Sequence, residues 1–336
     1  MGVSIHAARE SWPIAGAFTI ARGSKTAAEV VVAEISAGDM CGRGECVPYP
    51  RFGDSPEQTL AQIERFADSL SGERELSHEQ LSQQLPPGAA RNALDCALWD
   101  LRAQQRQQPA WRLAELPAPA PAVTAFTLSL EAPAAMAAAA ADNAHRPLLK
   151  LKLGAPADDA KRLHAVRSAA PNARLIVDAN EGWSLADLRH LAPVAADLGV
   201  ELIEQPLPAA EDAQLANYTS PVDLGADESL APGQPVRELV GKYQVVNIKL
   251  DKTGGLTEAI ATQQAALESG LEVMIGCMVA TSLAMAPALL LAPGAKYVDL
   301  DGPLLLAADR KPGLEYHESL VSFPPEPVWG NIQGGQ

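Results

Sequence analysis

Five ionisable residues recur through the middle of the sequence at steps of 22–26 residues: Lys152, Asp178, Glu204, Asp227 and Lys249. Each stands at or near the end of a short apolar run, in LLKLKLG, RLIVDAN, VELIEQP, VDLGADE and QVVNIKL. Three carboxylates supply hard oxygen ligands, a set that favours Mg²⁺ and also accommodates Mn²⁺; a zinc site would call for histidine or cysteine. The lysines on either side of the acids are candidate bases for opposite faces of one carbon. A lysine titrating near ~10.4 is a poor base at neutral pH. Such chemistry therefore calls for a depressed pKa, which a nearby Mg²⁺ and the like charge of Lys150 are expected to provide.

These side chains meet only if the strands that carry them end at one place. Three further runs, AVTAFTLSL, LEVMIGCM and KYVDLDGP, bring the total to eight, and the segments between them are long enough for one crossover helix each. Eight strands with seven crossovers predict an α/β fold, a (β/α)7β modified TIM barrel, in which every strand's C-terminal end faces the same mouth. A doubly wound sheet is the alternative, but no GxGxxG or GxxxxGK[ST] stands at a strand end. Taken singly, an acid after a strand is usually a turn former, and alternating lysines such as Lys150 and Lys152 usually mark a solvated edge. A strand inside a barrel has no solvated face, so the simple readings fail together.

The first third has another texture. AEVVVAEI (28–35) reads as a strand, and the Gly-rich CGRGECVPYP (41–50) as a turn and irregular segment. Ser55 and Pro56 open a helix as N-cap and first residue, and AARNALDCALWDL has amphipathic helical spacing. The donor-poor LPAPAPA (116–122) suits a boundary. The expected division is an α+β capping domain over 1–118, a barrel domain over 119–310, and a tail, 311–336, packing back on the capping domain.

Composition narrows the partners. Lysine and arginine total 26 against 41 acids, a net charge of −15. That surface repels phosphate backbones, so nucleic acid is not an expected partner. APAAMAAAAADNA is alanine-rich and reads as a helix, not a membrane span; the first residues lack the pattern of an export signal. Cys41, Cys46, Cys96 and Cys277 are sparse and show no CxxC spacing, so reduced thiols and a cytoplasmic location are expected. Homo-oligomerisation is left open.

Taken in order, KLKL, IVDAN, IEQPL, ADES and VNIKLDKTGG resemble the enolase superfamily, and its muconate-lactonizing-type branch in particular. IARGSK, GECVPYPRFG, AARNALDCALWDL, GCMVATS and VDLDGP narrow the resemblance to the dipeptide epimerases, most closely those acting on L-Ala-D/L-Glu. The likeness runs from Trp12 to about Pro303. It implies a 1,1-proton transfer at the α-carbon of a dipeptide's C-terminal residue, in recycling of murein peptides; Lys or His bases with Mg²⁺ are the general device of enolase-type sites.

By that resemblance Asp178, Glu204 and Asp227 hold the metal, Lys152 and Lys249 move the proton, and Lys150 stabilises the developing charge. Asp299 and Asp301 clamp the substrate's N-terminal ammonium, while Thr127 and Cys277 contact substrate. Arg22, with Lys25 as second choice, meets the side-chain carboxylate of the epimerised residue from a loop that folds over the mouth. One departure stands out: many relatives carry an acid in the GCMxES stretch, where this chain has Ala280 and Thr281. The rival readings are another specificity within the superfamily (a different dipeptide, N-succinylamino acid racemase, o-succinylbenzoate synthase) and a non-catalytic metal-binding barrel.

Overall fold

The computed structural model describes residues 2–70 and 75–334. The chain begins with an antiparallel sheet of β1 (Ser4–Ile20), β2 (Gly23–Ala37) and β3 (Met40–Cys46). The helices α1 (Pro56–Ser69), α2 (His78–Gln84) and α3 (Ala89–Arg106) follow. Ser55 caps α1, its side chain accepting from the Gln58 N–H, with Pro56 in the first turn. The expected irregular segment at 41–50 is instead largely β3. Its glycines serve close packing rather than a turn: a Cβ on Gly42 would lie 2.2 Å from Ala97 O, and one on Gly44 2.1 Å from Ala93 O. Without side chains there, α3 lies directly on the sheet.

After a short α4 (Ala110–Leu113) and β4 (Ala122–Val123), the barrel strands are β5 (Phe126–Leu128), β6 (Leu148–Lys152), β7 (Arg174–Asp178), β8 (Val200–Glu204), β9 (Asp223–Ala226), β10 (Val245–Ile248), β11 (Glu272–Gly276) and β12 (Tyr297–Asp299). They form one parallel sheet in sequence order. A parallel bridge between Thr124 and Val298 closes the ring, backed by Ala125 N–H to Val298 O (2.8 Å) and Leu300 N–H to Thr124 Oγ1 (2.8 Å).

Five crossovers carry α-helices: α5 (Pro133–Asp142), α6 (Pro156–Ala169), α7 (Leu185–Asp197), the pair α8 (Leu250–Thr253) and α9 (Leu256–Glu268), and α10 (Ser282–Leu289). The other two depart from the expected pattern and contain only 3₁₀ segments, Ala209–Asn217 and Val236–Leu239. Both are flanked by proline (Pro206, Pro208 and Pro221; Pro232 and Pro235).

Inward positions alternate along every strand, and here they change character with height. Ala125, Leu148, Ile176, Leu202, Val245, Met274 and Tyr297 pack into one buried apolar cluster. Two residues further along each of six of these strands come Thr127, Lys150, Asp178, Glu204, Asn247 and Asp299. An apolar floor thus supports a polar mouth, and the polar side chains point inward because their neighbours two positions earlier already do.

Beyond β12, α11 (Gly302–Leu305) leads to the hairpin β13 (Glu315–His317) and β14 (Leu320–Ser322), which pairs with β4. The tail then reaches α3: Trp329 Nε1–H donates to Cys96 O (3.0 Å) and Gly330 N–H to Asp100 Oδ1 (2.7 Å). Residues 335 and 336 of the expected tail lie outside the described residues. Among the described residues no helix is long and apolar enough to cross a membrane.

Candidate active site at the barrel mouth

Strand register sets the three acids side by side. Lys152 pairs laterally with Asp178, and Asp178 with Glu204; Asp227 follows β9 and Lys249 follows β10. The acid-bearing strands therefore lie between the two lysine-bearing strands. Lys152 Nζ sits 2.6 Å from Asp178 Oδ2, and Lys249 Nζ 2.6 Å from Asp227 Oδ2. Lys150, 1% exposed, stands between, its Nζ 2.6 Å from Glu204 Oε2, 2.8 Å from Asp299 Oδ2 and 3.5 Å from Asp178 Oδ2.

Each carboxylate has one oxygen held from outside the cluster. Asp178 Oδ1 accepts from the Asn180 backbone N–H (2.9 Å), Glu204 Oε1 from Asn247 Nδ2 (2.7 Å) and Asp227 Oδ1 from Lys252 Nζ (2.6 Å). The second oxygens, Asp178 Oδ2, Glu204 Oε2 and Asp227 Oδ2, are the ones facing the lysines. Asp178 Oδ2 also accepts from Asn180 Nδ2 (3.1 Å). Glu204 Oε2 is buried and accepts no hydrogen bond, its contact with Lys150 being an ion pair without hydrogen-bond alignment. One ligand oxygen from each acid falls within 4.8 Å of the others, near the spread of oxygens about a Mg²⁺ held at ~2.1 Å. Oxygen donors only, all buried, one of them orphaned: the set fits a hard divalent cation.

Charge packing dictates the titration. Burial opposes ionisation of Asp227, but Lys249 and Lys252 outweigh it and hold the carboxyl well below its usual range. Burial likewise works against Asp178, and Lys152 and Lys150 bring it below normal. Glu204 goes up, from burial and then from the charge of Asp178. With no cation to offset the acids, Lys249 stands above its ordinary value: burial pushes it down, but Asp227 and Glu204 outweigh burial and the like charge of Lys150. Lys150 is raised too, as Asp299, Glu204 and Asp178 overcome burial. Three anions outvote one like-charged neighbour.

A cavity of about 480 Å³ opens above these groups, lined among others by Phe18, Arg22, Lys25, Thr127, Cys277 and Asp301. Thr127 N–H donates to Asp301 Oδ2 (2.7 Å). Asp301 is pushed up to about 7, first by burial and then by Asp299, and Asp299 Oδ1 is buried with no partner. The expected loop is the tip of a long hairpin, β1 turning into β2 at Ala21–Arg22. Arg22 lines the cavity but spends its donors on the protein: Nη2–H to Glu228 Oε1 (2.5 Å) and Tyr49 Oη (2.7 Å), Nη1–H to Asn180 O (2.8 Å) and Glu181 Oε2 (3.2 Å). Thr281, at the departure from GCMxES, donates through its backbone N–H (2.8 Å) and Oγ1–H (2.5 Å) to the carboxylate of buried Glu45 on β3.

Sequence reasoning missed Asn247, Lys252, Asn180 and Glu228. A signal existed for Asn247, which shares the inward face with Lys249 two positions later. None existed for Glu228, whose role depends on where the hairpin tip lands.

Residues 133–330 match the enolase C-terminal domain-like model, and residues 3–114 the N-terminal domain of mandelate racemase/muconate lactonizing enzymes. The chain belongs to the mandelate racemase/muconate lactonizing enzyme family of the enolase superfamily. Within it, the chain is 45% identical to the L-Ala-D/L-Glu epimerase of Escherichia coli, over 91% of this chain and 95% of that one. It is 44% identical to the N-acetyl-D-glutamate racemase of a Pseudoalteromonas species, over 91% and 97%. A crystal structure of an enolase family member from Agrobacterium tumefaciens with homology to dipeptide epimerases, with sodium and L-Ala-L-Glu bound, superposes with a TM-score of 0.93 at 51% identity, covering 98% of this chain and all of that one. The racemases and epimerases of this family are isomerases.

Proposed function

We propose that this protein epimerises the C-terminal residue of a dipeptide, with L-Ala-D-Glu and L-Ala-L-Glu as the substrate pair, using a divalent cation held by Asp178, Glu204 and Asp227. The observation that carries the reading is the flanking of the three acids by Lys152 on one side and Lys249 on the other. The cation, Mg²⁺ with Mn²⁺ as substitute, supplies electrostatic stabilisation of a carboxylate that gains a second negative charge.

The rest is done by the chain. One lysine, as free amine, takes the α-proton: the C–H bond breaks, its electron pair stays on the substrate, and an N–H bond forms. The other lysine, as ammonium, returns a proton to the opposite face, so the two exchange protonation states in each turnover and the reaction runs both ways. Asp227, 2.6 Å away, favours the ammonium form of Lys249; a cation held by the three acids would offset their charge and favour the free amine there. Lys150 offsets the charge that develops on the substrate. Asp299 Oδ1 and Asp301 receive the α-ammonium; Thr127 and Cys277 shape the wall. Arg22 closes the hairpin over the reacting carbon, excluding water, and its remaining Nε–H, with Lys25, faces the glutamyl carboxylate. The division into a capping unit (1–118 with the tail 311–336) and a barrel (119–310) belongs to the same proposal, as does a place in cell-wall peptide recycling.

A second reading has one observation in its favour. Asp299 Oδ2 is paired with Lys150 (2.8 Å), and Asp301 is pushed up to about 7, so a half-protonated Asp301 suits an N-acyl group as a hydrogen-bond donor. Racemisation of an N-acyl-glutamate is that reading. The deciding experiment incubates the Mg²⁺-loaded protein in D₂O with L-Ala-L-Glu, L-Ala-D-Glu and N-acetyl-glutamate and follows the glutamyl α-proton by NMR. Loss of the signal from both dipeptides, faster than from the N-acyl amino acid, is expected; no exchange from either dipeptide by the folded protein refutes the assignment.

A further inference from the structure

Lys252 takes no part in the proton transfer just described, yet it is among the most buried side chains of the molecule, 1% exposed. Its Nζ has three oxygen partners and nothing else: Asp227 Oδ1 at 2.6 Å, Asp227 O at 2.5 Å and Asn247 O at 2.9 Å. An ammonium has three protons, so all are committed and the group is pinned in place. Two of the three bonds go to a single residue, one of the acids that face the cation site. Asn247 does the corresponding task at Glu204 Oε1, and the Asn180 backbone at Asp178 Oδ1. In each acid one oxygen is occupied and the other is left inward.

We propose that Lys252 is a positioning residue that restricts Asp227 to one-oxygen ligation and thereby sets the site's preference for a small octahedral cation. The inference rests on the metal reading above. Mg²⁺ takes near-octahedral single oxygens, whereas Ca²⁺ accepts more ligands and readily uses both oxygens of a carboxylate. With Oδ1 held by a charged, immobile donor, Asp227 has no second oxygen to give. Three acids confined in this way offer three ligand atoms, too few for Ca²⁺ to satisfy its shell from the protein. Removing the Lys252 ammonium frees Asp227 Oδ1, and the carboxylate can turn to present both oxygens.

The test is calorimetric titration of the metal-stripped full chain with Mg²⁺ and Ca²⁺ separately, for wild type, Lys252→Met and Lys252→Gln. The glutamine variant keeps a neutral donor near the two backbone carbonyls. The expected result is a shift of at least about tenfold in the Ca²⁺/Mg²⁺ affinity ratio toward Ca²⁺, larger in the methionine variant. A general loss of packing weakens both ions alike and leaves the ratio alone. An unchanged ratio in a variant that melts cooperatively overturns the proposal. If neither variant folds, infrared spectra of the wild type decide: a two-oxygen carboxylate band on Ca²⁺ binding overturns it, and one-oxygen bands only support it. Failure of the wild type to bind either ion sinks the metal reading itself, a separate outcome.

Discussion

Asp301→Asn separates the two substrate readings with one atom exchanged. The asparagine Oδ1 can still accept from the Thr127 N–H, which now holds Asp301 Oδ2 at 2.7 Å, so the mouth keeps its shape. What is lost is a negative charge opposite a substrate ammonium. Two unit charges ~4 Å apart at an effective dielectric of about 20 interact by ~4 kcal/mol. Residual solvation of the bound ammonium reduces the net loss to about 2–3 kcal/mol, or roughly 30- to 150-fold in kcat/KM for L-Ala-L-Glu. The loss depends on pH in a defined direction. Burial and Asp299 raise Asp301 to about 7, so in the free enzyme the favourable charge is absent below that value and present above it. The wild-type to variant ratio of kcat/KM is therefore small at about pH 5.5, rises through 7 and levels off by about pH 8.5. Taking the ratio cancels titrations common to both proteins. With N-acetyl-glutamate, which has no ammonium, the ratio stays near unity at the alkaline end. The assay is coupled or polarimetric rate measurement for both substrates across that range. A ratio that is flat with pH, or equal for the two substrates, refutes the argument that Asp301 recognises a cation.

Two further expectations follow from the same geometry. Replacing Lys152 or Lys249 by alanine slows epimerisation by about 10²–10⁴-fold while Mg²⁺ still raises the melting temperature, because neither amine is a ligand; an unchanged rate in either variant removes that lysine from the mechanism. Gly44→Ala places a methyl group 2.1 Å from Ala93 O and 2.7 Å from Ala97 N, both backbone atoms of a helix that cannot yield locally. Denaturant unfolding should show a loss of about 3 kcal/mol, and a loss under ~0.5 kcal/mol would mean that α3 does not ride on β3 as closely as described.

The recurrence of one charged residue per unit was legible because a parallel barrel repeats strictly: each strand's inward face ends at the same height, so Lys152, Asp178 and Glu204 come into register whatever the loops do. Segment 41–50 was misread because glycine carries two meanings, turn and close approach, and only the partner surface, here α3, distinguishes them. The 3₁₀ crossovers escaped because counting residues measures the length of a connection but not the type of helix it adopts.

What the amino-acid sequence determined alone is the set of chemical groups and their order around the ring, since periodicity of two along a strand and one strand per repeat leave little freedom. Which oxygen of each acid faces the cavity, that Arg22 directs its guanidinium to Glu228 and Tyr49, that Glu45 of the first sheet answers Thr281 of the barrel, and that Lys249 pairs with Asp227 were decided by the tertiary structure. Those properties depend on distances of 2.5–3 Å between residues up to 236 positions apart, and electrostatic and hydrogen-bond energies change steeply over distances that no spacing along a chain encodes.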